Sequence, residues 1–215
     1  DSEELMELIP NFVSIHGLLR ALTYLLPDNS SGHCFNPRAL TSPDRLWMRY
    51  QSSAKVSMGK AELNPAKIPV SVSGDRVINH PAEICGKEYN ITCCAVGNPH
   101  CVVFVDNVDK INIESVGPQF ETAPIFPERV NTEFVRVVNS KTLKMRVWER
   151  GNGETQACGT GACAAVIAAV ENGYCSKDED ITVKVKGGDL IVNYSDNGVT
   201  LTGDCNLVYK GEIEY

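Results

Sequence analysis

The sequence predicts an α+β fold in which a mostly antiparallel sheet bends around one central helix, and three observations carry that expectation. From Ala54 onward, short β-branched or alternating runs are separated by Gly, Pro and Asn, the grammar of strands and turns. Residues 161–171, GACAAVIAAVE, are apolar on almost every side, which marks a helix buried all round. After it come ITVKV, LIVNY and VTLTG, joined by Gly187-Gly188-Asp189 and Asp196-Asn197-Gly198, a meander of hairpins. A sheet that buries such a helix must wrap it.

Taken along the chain, residues 12–26, FVSIHGLLRALTYLL, carry Leu18, Leu22 and Leu25 at helical spacing, and Pro27-Asp28-Asn29 stops the helix. From Asn29 to about Ser53 no period is clear, and the segment reads as a loop or a damaged region. AKVSM, IPVSV, NITCCAV, CVVFVD, TEFVRVV and TLKMRVWER then read as strands. In the last of these Leu143, Met145 and Val147 share one face, and Lys144, Arg146 and Trp148 the other. Asn172-Gly173 ends the central helix.

The 215 residues suffice for one domain or two small ones. A formal charge of -7 argues against a nucleic-acid partner, which needs a basic stripe to neutralise phosphates. No apolar stretch reaches membrane-spanning length and DSEELMEL is too acidic for a secretory signal, so a soluble, cytoplasmic protein with a small-molecule partner is expected. Nine cysteines, at 34, 85, 93, 94, 101, 158, 163, 175 and 205, lack Cys-x-x-Cys spacing or a matching His cluster. They read as free, mostly buried thiols rather than metal ligands, with Cys93 and Cys94 on opposite faces of a strand.

The chemistry concentrates before the central helix. Its start, Cys158-Gly159-Thr160-Gly161-Ala162, has no acidic residue, which leaves backbone N–H groups for an anion. Cys158 sits at that mouth, where the helix dipole is expected to lower its pKa; a thiol so placed can take or return a proton. Its alternative is a cysteine with no role, and Cys163 reads as a small core residue. Glu149-Arg150 admits two readings: a solvated ion pair, or an Arg that fork-binds a carboxylate beside a Glu that accepts from an ammonium. Gly97-Asn98-Pro99-His100 interrupts two apolar runs and by itself is a turn with a satisfied histidine. Asn131 precedes a strand and by itself is a cap or turn residue.

In order along the chain, VSMGKAELNPAKIPV, GNPHCVVFVD, FPERVNTEFV, MRVWERGNGETQACGTGACAA and LTGDCNLVYKGEI resemble segments of the diaminopimelate epimerases, pyridoxal-independent amino-acid epimerases of lysine and cell-wall biosynthesis. The resemblance covers roughly Ala54 to the C-terminus, and the long block around Cys158 is its most specific part. It implies two similar lobes across a cleft, each presenting a Cys at a helix start. Cys158 would then be one of two thiols on opposite faces of the substrate α-carbon, with Gly159 and Thr160 cradling the α-carboxylate. Asn98, Asn131 and Arg150 would read the distal end of the substrate, and His100 and Glu149 would line the reacting centre. Neither metal nor cofactor is implied. The partner is a small diamino dicarboxylic acid, with a homodimer left as an option.

The first lobe departs from that family pattern. Where the family has Cys-Gly-Asn-Gly-x-Arg, this chain has SIHGLLRALTYLL, with Ser14 or Ile15 at the Cys position. Cys34, in GHCFNPRAL, is the nearby candidate for the second thiol; Asn36 and Arg38 are loosely kept and both glycines are missing. The expected organisation is therefore a reduced N-terminal lobe, 1–58, rejoined by 205–215, and a C-terminal catalytic lobe, 59–204. Either the chain is a shortened version of a full enzyme, or it is a relative that has lost half of the two-base site. The function expected is cofactor-independent interconversion of L,L- and meso-diaminopimelate. The alternatives are another racemase of the same fold, such as one acting on proline, a catalytically impaired diamino-acid-binding relative, and a structural fragment with a residual site.

Overall fold

The computed structural model describes residues 53–204. The helix expected at 12–26, the loop after it, Cys34, and the lobe of 1–58 with 205–215 lie outside the described residues except for the strand that begins at Ser53.

Ten strands form one sheet: β1 (Ser53–Gly59), β2 (Val77–Ile84), β3 (Lys87–Ala95), β4 (Pro99–Phe104), β5 (Asn131–Asn139), β6 (Thr142–Glu149), β7 (Gly153–Glu154), β8 (Asp180–Val185), β9 (Gly188–Ser195) and β10 (Gly198–Asp204). Their order is β1-β10-β9-β8-β6-β5-β4-β3-β2, with β7 beside β6. All neighbours run antiparallel except β4–β5 and β6–β8. Among the described residues two α-helices pack on the sheet, α1 (Ile113–Glu121) and α2 (Gly159–Glu171).

α2 is the expected central helix. It touches β3, β4, β5, β6, β8, β9 and β10, so the sheet wraps it. Ala162, Cys163, Val166 and Ile167 are fully buried against Val102, Val135, Leu143, Val147 and Val183. Each large apolar side chain withdrawn from water in this way stabilises the fold by about 1.5–3 kcal/mol. Small residues on the other positions let strands approach from several sides. Asn172 ends the helix, its Nδ2 donating to the Ala168 carbonyl at 2.7 Å, and Gly173 follows at φ +77°. The helix begins at Gly159, two residues earlier than expected, because Cys158 serves as its cap.

A second core lies on the opposite face of β2–β6, where Ile91, Cys93, Cys101, Phe120 and Phe134 meet under α1. Cys94 belongs to the α2 side, so the two adjacent cysteines point to opposite faces as expected. The alternation of β6 also holds, with Leu143, Met145 and Val147 buried. Among the described residues all seven cysteines are free, and only Cys85 is exposed.

Three segments depart from the sequence expectation. Residues 68–72 form no strand: Asn64 accepts from Ala66 N at 3.0 Å and starts a 3-10 turn, Pro65–Lys67, that plants Ile68 in the core. Pro69 has no N–H to give a ladder. Conversely, β2 and α1 form where breaker residues hid them. Pro81 is tolerated because β2 is an edge strand, and Gly117-Pro118 sits inside α1. Gly117 is needed there, since a Cβ would lie 2.5 Å from Trp148 Cγ and 2.6 Å from its Cε3.

Candidate active site

The site forms where one end of β4, β5 and β6 meets the start of α2. Register brings the residues together: His100 pairs with Asn131 across the parallel β4–β5 ladder, and Thr132 pairs with Trp148, which sets Asn131 level with Glu149. Side chains two apart on a strand share a face. His100, Glu133 and Glu149 therefore lie on the α2 side, with Val102, Val135 and Val147, and interrupt that apolar face with titratable groups.

Cys158 has extended dihedrals, φ -131° and ψ 114°, and caps α2 with its sulfur. Sγ accepts from Gly161 N at 3.3 Å and lies 3.4 Å from Thr160 Oγ1. One of the N–H groups expected to face outward is thus turned onto the thiol; those of Gly159 and Thr160 precede any intrahelical acceptor. The expected lowering of the Cys158 pKa is corrected. Burial, with 4% of the residue exposed, pushes the thiol from the ordinary value near 9 up to about 12, and the Glu149 and Glu133 carboxylates push the same way. The Thr160 hydroxyl and Gly161 N–H oppose this and lose. The helix start stabilises a thiolate less than the loss of water destabilises it.

This raised value has a consequence for stability. A thiol whose pKa is higher in the folded state contributes in full below the unfolded value, near 9, and loses that contribution as pH rises through about 12. Cys94, Cys101, Cys163 and Cys175 are shifted the same way by burial. Urea midpoints should therefore fall above pH ~9, and the Cys158→Ala variant should fall less steeply with pH than the parent.

His100 is fully buried, with Nδ1 2.7 Å from Glu133 Oε1 and Nε2 2.9 Å from Asn98 Oδ1. Asn131 ties two strand ends: its Nδ2 donates to the Pro99 carbonyl at 2.8 Å and its Oδ1 accepts from Arg150 N at 2.9 Å. Glu149, buried, accepts from Thr155 Oγ1 at 2.5 Å. Arg150 is exposed, and its Nη1 donates to the Glu128 carbonyl at 2.9 Å. Glu149 and Arg150 form no ion pair with each other among the described residues, so the solvated-pair reading falls.

Three residues of this region were missed in the sequence. Thr155 orients Glu149. Glu133 joins His100 to the start of α2; an acid on the inward face of TEFVRVV was a visible signal, because that face is otherwise apolar. Glu121, at the end of α1, holds the turn that follows β6: Oε2 accepts from Trp148 Nε1 at 2.8 Å, Oε1 from Gly151 N at 3.0 Å, and Arg129 lies 3.4 Å away. Replacing Glu121 by leucine leaves both N–H donors without their acceptor at a partly buried site. The expected loss is about 2–4 kcal/mol, read from urea unfolding, with a change in Trp148 fluorescence.

The family model described as diaminopimelate epimerase matches residues 92–212, a stretch that contains every group placed above. The chain belongs to the diaminopimelate epimerase family. The diaminopimelate epimerase of Acetivibrio thermocellus is 49% identical over 162 residues, covering 74% of this chain and 57% of that protein. That of Picosynechococcus is 39% identical over 203 residues, covering 93% of this chain and 72% of the relative. The chain spans 57% and 58% of the first two relatives it matches. Among solved structures, a hydroxyproline epimerase from Agrobacterium vitis with bound trans-4-hydroxy-L-proline superposes with a TM-score of 0.51 at 14% identity, over 71% of this chain and 50% of that one. That likeness is one of fold, and it agrees with the diaminopimelate epimerase-like α+β architecture expected from the sequence. Among the described residues no helix is long and apolar enough to cross a membrane, and no three His, Cys, Asp or Glu side chains gather as a metal site.

Proposed function

We propose that this protein interconverts L,L- and meso-diaminopimelate by proton exchange at an α-carbon, without pyridoxal phosphate or metal. The observation that carries the proposal is the capped start of α2. There a thiol, Thr160 and the first helical N–H groups converge on one place, at the same end of the sheet as Glu149, His100 and Asn131. Helix N–H groups hold a carboxylate and stabilise the charge that spreads into it when the α-proton leaves. Cys158, protonated at neutral pH, is set to deliver a proton to one face of the α-carbon. In the reverse direction its thiolate accepts the proton, with Gly161 N–H and Thr160 Oγ1 as the groups that favour that state.

Inversion also requires an acid/base group on the opposite face. Cys34 is the candidate, and it lies outside the described residues. Gly159 and Thr160 are assigned to the α-carboxylate, and Arg150, Asn98 and Asn131 to the distal end; the exposed guanidinium of Arg150 and the polar cluster at that strand end support this assignment. A cytoplasmic location is part of the same proposal, supported by seven unpaired cysteines among the described residues. A homodimer remains a proposal for sedimentation to test.

The test is proton NMR of L,L- and, separately, meso-diaminopimelate with the reduced protein in deuterated water. Loss of the α-proton signal with appearance of the other isomer is expected. Exchange without inversion would confine the chain to one face of the α-carbon. No exchange of either isomer would overturn the epimerase reading.

A further inference from the structure

We propose that Glu133 is a positioning residue for the Cys158 thiol: its carboxyl, held by His100, faces the sulfur across Gly161 and sets the charge against which that thiol ionises. The inference deepens the proposed epimerase site and takes its chemical meaning from that reading, but its geometry stands on its own. Glu133 is fully buried, and Oε1 is 2.7 Å from His100 Nδ1. A Cβ built on Gly161 would lie 2.7 Å from the same Oε1 and 3.3 Å from Cys158 Sγ, so carboxyl and thiol press on one glycine. No other residue type leaves room for both there. Oε2 of Glu133 is buried with no partner among the described residues, an arrangement that carries a cost unless the carboxyl has a use.

The groups around Glu133 determine how it carries charge. His100 on β4, Glu149 on β6, Cys94 on β3, and Cys158 with the start of α2 face it. Burial drives the Glu133 carboxyl upward toward its neutral form, with Glu149 pushing the same way, while His100 pulls it down. Both acceptor oxygens beside His100, Glu133 Oε1 and Asn98 Oδ1, call for protons on the imidazole side of the contacts. Nε2 therefore carries a proton toward Asn98, and one further proton is shared between Nδ1 and Glu133. The pair is neutral as a whole, yet its carboxyl end is the end turned to the thiol. Removing that end favours the thiolate.

The test reads the thiol and needs no turnover. Alkylation of the reduced full chain by iodoacetamide at pH ~8.5, followed peptide by peptide by mass spectrometry, gives a rate for each cysteine that follows its thiolate fraction. For Glu133→Gln the Cys158 rate should rise about tenfold, while the rates of Cys163 and Cys175, whose thiols Glu133 does not shift, stay as in the parent. Glu133→Asp keeps the carboxyl and should return Cys158 to within about threefold of the parent. A Cys158 rate unchanged in Glu133→Gln would overturn the proposal, as would Cys158, Cys163 and Cys175 accelerating together, which is local loosening. In the unsubstituted protein, the nitrogen NMR shift of His100 should show Nε2 protonated at neutral pH, and an unprotonated Nε2 would overturn it without any variant. Because none of these readouts uses diaminopimelate, failure of the epimerase assay and failure of this inference are separate results.

Discussion

Replacing Cys158 by alanine is expected to abolish α-proton exchange of diaminopimelate, by about three orders of magnitude or more. The same variant should still bind the substrate, with affinity reduced by less than about tenfold, ~1.4 kcal/mol. The asymmetry follows from the structure of the α2 start. In the proposed reaction the sulfur is the group that exchanges the proton, while the carboxylate is assigned to backbone N–H groups and Thr160, which the substitution leaves in place. Alanine also removes the cap on Gly161 N, a loss of about 1 kcal/mol of helix stability that is small beside the kinetic effect. Isotope exchange by NMR and substrate binding by calorimetry measure the two quantities on one sample. If exchange persists at a tenth of the parent rate or more, Cys158 is not the proton donor.

Gly117→Ala is expected to cost about 3 kcal/mol. Its Cβ would enter the Trp148 indole, and the indole is pinned, with Nε1 on Glu121 and its ring between α1 and the turn after β6. The ring cannot retreat without giving up that hydrogen bond. Helix α1 would have to lift instead, carrying Glu121 away from Gly151 N and loosening the segment that presents Glu149 and Arg150. A urea midpoint lowered with unchanged m-value is the expected result. A variant within 0.5 kcal/mol of the parent, by the ~0.5 kcal/mol scatter of neutral substitutions, would show that α1 is free to shift on the sheet.

Local pattern was enough for the elements whose burial is uniform or strictly alternating. α2 is apolar all round and lies inside the sheet; β6 alternates and has one face in the core. It failed where tertiary packing overrides a breaker residue. Pro81 stands in a strand because β2 is an edge strand among the described residues, and Gly117-Pro118 stands in a helix because Trp148 occupies the space a side chain would take. It failed in the other direction at 68–72, where alternation suggested a strand and two prolines with an Asn cap made a turn.

The same division runs through the site. The sequence by itself determined which residue types stand at the α2 start, that the central helix is buried, and which family the long block around Cys158 belongs to, because these depend on neighbours along the chain. The ionisation of Cys158 was decided only by the tertiary structure. A helix dipole can be read locally, but the desolvation that outweighs it comes from strands that close around the thiol. The link from Asn98 through His100 and Glu133 to Gly161 was likewise decided by strand register and the packing of α2, which join residues 33 and 28 positions apart that no local pattern brings together.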